Sequence, residues 1–152
     1  AAVDYKAEGS FDKALAAVTP KGVDVFFDNV GGDILDSNLR RLRRGGRVVL
    51  CGAISRYNAK EMPPGPSNYL SLLVNRGRME GFIVFDYAKR YPEAAMQLGQ
   101  WISEGKLAYK EHIVKGGLRA APDALAALFT GGNKGKLIVE IAEPTLSRGS
   151  KL

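Results

Sequence analysis

Three short apolar runs, each ending at small or polar residues, constrain the fold of this chain more than any other feature. They lie in the segments Asp24–Gly32 (DVFFDNVGG), Gly46–Asn58 (GRVVLCGAISRYN) and Glu80–Val84 (EGFIV). Buried parallel strands have this pattern, because their carboxyl ends deliver loops to one edge of a sheet. Open α/β sheets bind nucleotides at that edge. We therefore expect an α/β fold with a parallel sheet, flanking helices and a ligand site at the strand ends.

The composition is that of a globular protein, with 45% apolar and 25% charged residues in a chain of 152. No apolar run approaches the ~20 residues that cross a bilayer, and the first residues lack the pattern of a signal peptide. We expect no membrane partner and a cytoplasmic location. The last three residues, Ser150–Leu152 (SKL), would instead direct the protein to peroxisomes if they are native and the host is eukaryotic. A single cysteine, Cys51, and a single histidine, His112, argue against a disulfide or a metal site.

A cluster of arginines accompanies the net charge of +6 and allows two interpretations. Its members are Arg40, Arg41, Arg43, Arg44 and Arg47. Clustered cations can neutralise nucleic-acid phosphates, but a single-strand binder would also carry interleaved aromatic residues. We favour a helix over Asp33–Arg44 whose last turn carries the positive charge and which stops at Gly45-Gly46. We expect no nucleic-acid partner.

The apolar periodicity and the turn residues predict the remaining elements. Helices are expected over Phe11–Val18, from Ser67 to about Asn75, from about Ala88 or Pro92 to Glu104, and over Pro122–Phe129. Strands are expected over Val23–Asn29, Arg47–Ala53, Arg78–Phe85, Tyr109–Lys115 and Lys136–Ile141. The last two strands are the most polar, so we assign them to a different sheet. No glycine-rich phosphate loop of the G-x-G-x-x-G or Walker type occurs in the sequence.

Five sequence blocks together resemble a known family. The blocks FDNVGG, CGAISRYN, PPGPSNY, EGFIV and GGNKGK, in this order, resemble the zinc-independent branch of the medium-chain dehydrogenase/reductases. The NADP-dependent alkenal and prostaglandin reductases of that branch are the most similar group, and the resemblance runs from about Val3 to Ile141. Members of the family are longer. The resemblance implies that residues 1–105 are the C-terminal part of a Rossmann-type NADP-binding domain. Residues 106–142 would return to a GroES-like catalytic domain that this chain lacks, and residues 143–152 would form a tail.

The resemblance also implies a cofactor site and one catalytic residue. Tyr5 would contact the 2′-phosphate of NADP, and Tyr57 would hydrogen-bond the nicotinamide ribose or assist at the carbonyl group of the substrate, which makes it both a cofactor-binding and a catalytic residue. The other residues implied in cofactor binding are Asn29, Cys51, Gly52, Phe82, Ile83, Val84 and Asn133. Each has an ordinary structural alternative: a strand-end aromatic for Tyr5, a turn for Asn29 and Asn133, and strand core for Phe82–Val84.

The activity implied by the resemblance is the NADPH-dependent reduction of the C=C bond of α,β-unsaturated ketones or aldehydes. One alternative is a quinone reductase of the same superfamily. Another is a non-catalytic dehydrogenase fragment that self-associates. Since the glycine-rich turn is absent, we expect the chain on its own to be catalytically incomplete. We also expect a homodimer that forms through an edge strand, Gly81–Phe85.

Overall fold

The computed structural model describes residues 1–142, which form two compact units, one over Ala1–Lys89 and one that begins at Arg90. The first unit holds α1 (Phe11–Val18), β1 (Val23–Asp28), α2 (Gly32–Arg40), β2 (Leu42–Leu50), α3 (Leu70–Asn75) and β3 (Arg78–Gly81). The second unit holds α4 (Tyr91–Ser103), β4 (Glu111–Val114), α5 (Ala121–Leu128) and β5 (Lys136–Val139). Short 3₁₀ turns lie at Ile54–Arg56, Val84–Arg90 and Gly117–Ala120. None of the helices among residues 1–142 has the length and apolar character that a membrane crossing needs.

The sheet of the first unit is parallel, with the strand order β1-β2-β3. Val25 pairs with Arg47 and Asp28 with Leu50, while Leu50 also pairs with Gly81. The three strands therefore end at the same level, and their carboxyl ends form one edge. The predicted α/β class and the parallel sheet are confirmed.

One face of this sheet carries the core. Leu35 and Leu39 of α2 pack with Leu42 and Val48 of β2, and Leu39 is completely buried. The half-buried side chains of Phe26, Leu50 and Leu72 complete the cluster. Because side chains alternate along a strand, Val25 and Phe27 point to the opposite face. They are 63% and 54% exposed.

The junction between α2 and β2 differs from the sequence prediction. The helix ends at Arg40, and the strand already begins at Leu42. Arg40 lies in the last helical turn and Arg41 is the C-cap residue, so Arg43, Arg44 and Arg47 do not close the helix. The reason is that Leu42 is buried and Val23 pairs with it, while the next pair joins Val25 to Arg47, so residues 43–46 form a bulge.

Three of these arginines bind acceptors of the first unit instead. Arg40 forms an ion pair with Asp12 at 2.9 Å, and Arg43 forms one with Asp24 at 2.9 Å. The guanidinium of Arg41 donates to the hydroxyl and the carbonyl oxygen of Thr19. These contacts tie the junction between α2 and β2 to α1, to Thr19 after it and to β1.

The third predicted strand is also shorter than expected. We predicted a strand over Arg78–Phe85, but β3 ends at Gly81, and Val84–Arg90 forms a 3₁₀ turn. The cause lies in the neighbouring strand. Because β2 ends at Leu50, the N–H of Phe82 makes the last ladder bond, to the carbonyl oxygen of Leu50 at 3.1 Å. The expected edge strand Gly81–Phe85 is therefore wrong as a strand, although β3 does lie at the sheet edge.

The second unit follows its predicted order. Helix α4 begins with Pro92 in its first turn and is followed by Gly105, whose φ of 67° suits the left-handed conformation after a helix end. Strands β4 and β5 lie outside the first sheet, as predicted, and they pair with each other in parallel. The boundaries at residues 105 and 142 stay predictions. The predicted tail, residues 143–152, and its SKL terminus lie outside the described residues.

Candidate functional site

A cleft of about 990 Å³ lies in the first unit, where the three parallel strands end. One side is built from the turn after β1 and the start of α2, and another from the loop after β2. The residues that follow β3 and a proline-rich segment complete the lining. The lining includes Gly31, Gly32, Asp36, Cys51, Gly52, Tyr57, Pro63, Pro66, Gly81, Phe82, Ile83 and Asp86. This is the position at which the strand pattern predicted a ligand site.

A buried carboxylate, Asp28, organises two of these loops. Its Oδ1 accepts hydrogen bonds from the N–H groups of Val30 and Gly31 at 2.9 and 3.0 Å. Its main-chain carbonyl oxygen accepts from Cys51 and Gly52 at 2.8 and 3.1 Å. One side chain at the end of β1 thus shapes the turn into α2, while its backbone fixes the start of the next loop. Sequence reasoning missed this role, although an Asp before a Gly-containing turn is a recognisable signal.

The loop after β2 is locked to the turn after β1. The Ser55 hydroxyl donates to the carbonyl oxygen of Val30 at 2.6 Å, and the Ser55 N–H donates to the same oxygen at 3.1 Å. The N–H of Ile54 donates to the carbonyl oxygen of Asn29 at 3.1 Å. Gly31 has φ +72°, and a Cβ there would lie 3.3 Å from the Cβ of Ala53. The two loops therefore approach too closely for an ordinary residue at position 31.

The candidate catalytic phenol, Tyr57, lies at the end of this loop and is 68% exposed. Its hydroxyl oxygen accepts one long hydrogen bond, from the N–H of Ala53 at 3.5 Å. A bond of that length constrains the ring weakly. The hydroxyl hydrogen is therefore available to an acceptor in the cleft.

Gly52 and Gly81 both line the cleft, but the space around their Cα atoms differs. A Cβ on Gly52 would lie 3.2 Å from the Tyr57 hydroxyl and 3.5 Å from the carbonyl oxygen of Asn29, so packing within the protein accounts for this glycine. A Cβ on Gly81 would meet nothing nearer than the Leu50 carbonyl oxygen at 4.0 Å. Packing does not require a glycine at position 81. Its missing side chain leaves free space in the cleft.

The segment after β3 brings an aromatic cluster to the cleft. The Phe82 ring makes edge contacts with the rings of Phe27 and Tyr87, at centroid distances of 5.8 and 5.6 Å. These contacts hold Phe82 half-buried, whereas its neighbour Ile83 is 60% exposed. Among the hydrogen bonds within residues 1–142, none uses the N–H of Ile83 or the carbonyl oxygen of Phe82.

The structure brings together some, but not all, of the residues that the sequence singled out. Cys51, Gly52, Tyr57, Phe82 and Ile83 line the cleft. Asn29 is exposed beside it and contributes its backbone carbonyl group. Val84 does not line the cleft and begins the 3₁₀ turn.

Two predicted residues lie elsewhere. Tyr5 belongs to an N-terminal segment without helix or strand and is 60% exposed, with the Lys6 ammonium 5.7 Å from its ring centroid. Asn133 belongs to the second unit, where its Nδ2 donates to the carbonyl oxygen of Gly135 at 2.8 Å. That bond is the one expected of a turn residue before a strand.

Acidic groups outnumber basic ones around the cleft. The carboxylates of Asp28, Asp33, Asp36 and Asp86 lie in the lining with a single cation, Arg56. Within residues 1–142 no group of three or more His, Cys, Asp and Glu side chains could hold a metal ion. Two lowered pKa values belong to the second unit: hydrogen bonding to Arg90 lowers the pKa of Glu93, and hydrogen bonding to Lys106 lowers that of Glu104.

Comparison with known proteins identifies a matching family and several relatives of this chain. Residues 1–101 match the family model described as "Zinc-binding dehydrogenase". The chain is 40% identical over 141 residues to (+)-pulegone reductase from Mentha piperita and 39% identical over 145 residues to the NADPH-dependent curcumin reductase of Escherichia coli. These alignments cover 93% and 92% of the chain.

A solved structure shows the same fold. The chain superposes on the crystal structure of CurA from Vibrio vulnificus in complex with NADPH with a TM-score of 0.81 and 44% identity over 93% of its length. The match covers 43% of CurA, and the two curated relatives are each covered to 41%. The chain therefore spans about two-fifths of the length of the proteins it matches. The family resemblance read from the five sequence blocks is confirmed.

Proposed function

The chain belongs to the zinc-binding dehydrogenase family, and from that premise we propose that it is part of an NADPH-dependent reductase of α,β-unsaturated ketones and aldehydes. The observation that carries the proposal is the cleft at the carboxyl ends of β1, β2 and β3, where open α/β sheets bind nucleotides. The relatives at about 40% identity include reductases named for pulegone and curcumin. CurA of Vibrio vulnificus was solved with NADPH.

The cleft fits the nicotinamide end of the cofactor. Space left by Gly81 allows a flat ring to approach the backbone closely. The N–H of Ile83 and the carbonyl oxygen of Phe82 provide a donor and an acceptor for a carboxamide. Cys51 and Gly52 would contact the cofactor from the end of β2. We include Asn29, Val84 and Asn133 among the cofactor contacts on the resemblance alone.

The choice of NADP over NAD is assigned to Tyr5. Its exposed phenol can donate a hydrogen bond to a 2′-phosphate, and the ammonium of the neighbouring Lys6 adds positive charge beside it. Sequence reasoning did not single out Lys6. The distance of 5.7 Å between the ammonium and the ring centroid favours a joint phosphate site.

The chemical role of the protein is then largely electrostatic. Bound NADPH would supply a hydride to the β-carbon of the enone, and the α-carbon would take a proton from solvent. Negative charge develops on the carbonyl oxygen as the hydride arrives, so a hydrogen-bond donor at that oxygen lowers the barrier. Tyr57 is the donor in the cleft, since its hydroxyl is exposed and only weakly held by Ala53.

The other parts of the proposal concern the whole protein. We assign residues 106–142 to a segment that returns to a GroES-like catalytic domain, and we place the enzyme in the cytoplasm. We also propose a homodimer in which the edge of β3 and the exposed side chains of Ile83, Val84 and Phe85 meet a second copy. Neither a membrane nor a nucleic acid is among its partners in this proposal.

A substrate panel tests the proposed function against its main alternative. A full-length enzyme that contains this chain is assayed for oxidation of NADPH and NADH with an enone, a quinone and the matching saturated ketone. We expect turnover with the enone and NADPH that exceeds turnover with each of the other combinations. Turnover confined to the quinone would favour a quinone reductase, and no turnover with any acceptor would refute the proposal.

A further inference from the structure

One wall of the cleft is a proline-rich segment, Pro63–Ser67 (PPGPS). Few backbone hydrogen bonds can fix its position. Pro63, Pro64 and Pro66 have no N–H group, so they cannot donate backbone hydrogen bonds. The segment contains neither helix nor strand. All five of its residues line the cleft. Its position therefore depends on what fastens its two ends.

The C-terminal end is fastened by a carboxylate of helix α2. Asp36 lies in α2 and also lines the cleft. Its Oδ1 accepts from the N–H of Asn68 at 2.7 Å, and its Oδ2 accepts from the side-chain Nδ2 of Asn68 at 2.6 Å. Both residues are half-buried. Two short, charge-assisted bonds to one residue fix both the position and the orientation of the loop end.

The remaining attachments are few. Within residues 1–142, Lys60–Ser67 take part in a single hydrogen bond. It runs from the Arg56 guanidinium to the sulfur of Met62. Sulfur is a weak acceptor. The bond between Asp36 and Asn68 spans 32 positions in the sequence and connects the loop directly to the helix that packs on the core.

We infer that Asp36 and Asn68 are a pair of positioning residues that holds the proline-rich wall against the cleft and so sets how wide a substrate the cleft admits. In this role the pair acts through the wall and not on the reacting atoms. Three proline rings make most of the wall apolar, and only Gly65 and Ser67 contribute N–H groups, which suits an apolar substituent of the substrate rather than a polar one. That the occupant is an enone beside NADPH rests on the proposed function.

The test combines variants that break the pair with one that rebuilds it. Asp36→Ala removes both acceptors. Asn68→Asp places two carboxylates face to face, which is repulsive. Adding Asp36→Asn to Asn68→Asp restores both bonds, because an amide at position 36 can accept from the N–H of residue 68 and donate to the new carboxylate. Asp33→Asn is the control, since Asp33 lies on the same helix and lines the same cleft but makes no bond to the loop.

Two readouts on the 152-residue chain report the position of the wall without any cofactor. The first is amide hydrogen exchange in peptides that cover residues 58–69. The second is alkylation of Cys51, the only cysteine in the sequence, which is exposed and lines the cleft. The rate with a bulky maleimide divided by the rate with iodoacetamide measures the width of the entrance. Thermal unfolding, monitored in parallel, reports any general loss of structure.

We expect Asp36→Ala and Asn68→Asp each to raise exchange in this loop and the bulky-to-small alkylation ratio by about tenfold, given the usual strength of charge-assisted bonds. The rebuilt double variant and Asp33→Asn should return both values to near wild type. An unchanged ratio in both single variants, or a double variant as open as Asn68→Asp, would overturn the assignment. A chain that shows the expected pattern while the full-length enzyme reduces no enone would support the pair and refute the proposed function.

Discussion

Tyr57 is the residue whose chemistry can be tested most sharply. Tyr57→Phe removes the hydroxyl that we propose as the donor to the substrate carbonyl, while the ring and its packing remain. In a full-length enzyme that contains this chain, turnover with an enone should fall about 10-fold to 1,000-fold, the usual range for one transition-state donor. Steady-state kinetics with NADPH in excess gives the measurement.

Cys51→Ser is the matched control for that experiment. Cys51 lines the same cleft and is exposed, and the residues that line the cleft include no histidine or lysine that could act as its base. Turnover should stay within a few-fold of wild type. Full activity in Tyr57→Phe would remove the phenol from the mechanism, and loss of activity in Cys51→Ser would bring thiol chemistry back into consideration.

Substitution of two glycines, Gly81 and Gly77, should change the free energy of unfolding to different extents. Gly81→Leu adds a side chain where no atom lies closer than 4.0 Å to the new Cβ, so the free energy of unfolding should change by no more than about 1 kcal/mol. In Gly77→Ala the new Cβ would lie 2.6 Å from a methyl carbon of Leu42 and 3.2 Å from the carbonyl oxygen of Gly46. Overpacking of this kind costs about 1–3 kcal/mol. Urea unfolding of the two variants distinguishes the cases.

The Gly81→Leu variant also tests cofactor binding. If Gly81 is kept small for the nicotinamide, Gly81→Leu should raise the KM for NADPH at least about tenfold in a full-length enzyme, since a bulky group then occupies the space of the ring. An unchanged KM would show that the space beside Gly81 has another use.

At the scale of elements, the contact of α2 with the sheet forms the buried core of the first unit. Leu39 is completely buried between α2 and β2, so Leu39→Ala should lower the free energy of unfolding by about 2–5 kcal/mol. Leu73→Ala provides the comparison, because Leu73 lies on α3 and is 75% exposed. Its effect should stay below about 0.5 kcal/mol. Equal losses in the two variants would contradict the placement of the core.

The elements also show how far the sequence could predict the fold. Helices α1 and α4 follow from clear start and stop residues, such as Ser10 before α1 and Gly105 after α4. The start of β2 could not be recognised, because four consecutive residues, Arg43–Gly46, form a bulge within it. A charged, glycine-containing bulge has the composition of a helix end. Only the pairing of Leu42 with Val23 identifies it as strand.

The end of β3 was mispredicted for a related reason. Phe82–Phe85 are as apolar as the residues of a buried strand. A strand also needs a neighbouring strand to which its backbone can hydrogen-bond, and β2 ends at Leu50. At the site, strand ends and turn residues predicted the edge at which Cys51, Gly52, Tyr57, Phe82 and Ile83 meet. The bond between Asp36 and Asn68 joins residues 32 positions apart and leaves no local pattern in the sequence.

For the whole molecule, the shorter β3 modifies the prediction of self-association. The edge now consists of Arg78–Gly81, which includes the ion pair of Arg78 with Glu80, followed by the exposed side chains of Ile83, Val84 and Phe85. We expect the chain to form a dimer and Ile83→Lys to weaken it, because a charge then lies in an apolar contact. Light scattering coupled to size exclusion measures the mass. A wild-type monomer at high micromolar concentration would contradict the proposed interface.

The affinity of the isolated chain for NADPH tests how much of the site these 152 residues hold. The sequence contains no glycine-rich phosphate loop, so several charge-assisted contacts to the pyrophosphate are missing. Each such contact contributes about 1.5–3 kcal/mol, and the affinity should fall by orders of magnitude as a result. Calorimetric titration of the chain should therefore detect weak binding or none. Low-micromolar affinity with preference over NADH would show instead that the chain holds a complete site.

The most direct measurement follows the hydride itself. A full-length enzyme that contains this chain is given an enone and NADPH carrying deuterium at the transferred position, and the product is analysed by NMR. Our account predicts a saturated ketone with deuterium at the former β-carbon, together with loss of most of the product in the Tyr57→Phe variant. An allylic alcohol with deuterium at the former carbonyl carbon and with the C=C bond intact would contradict this account.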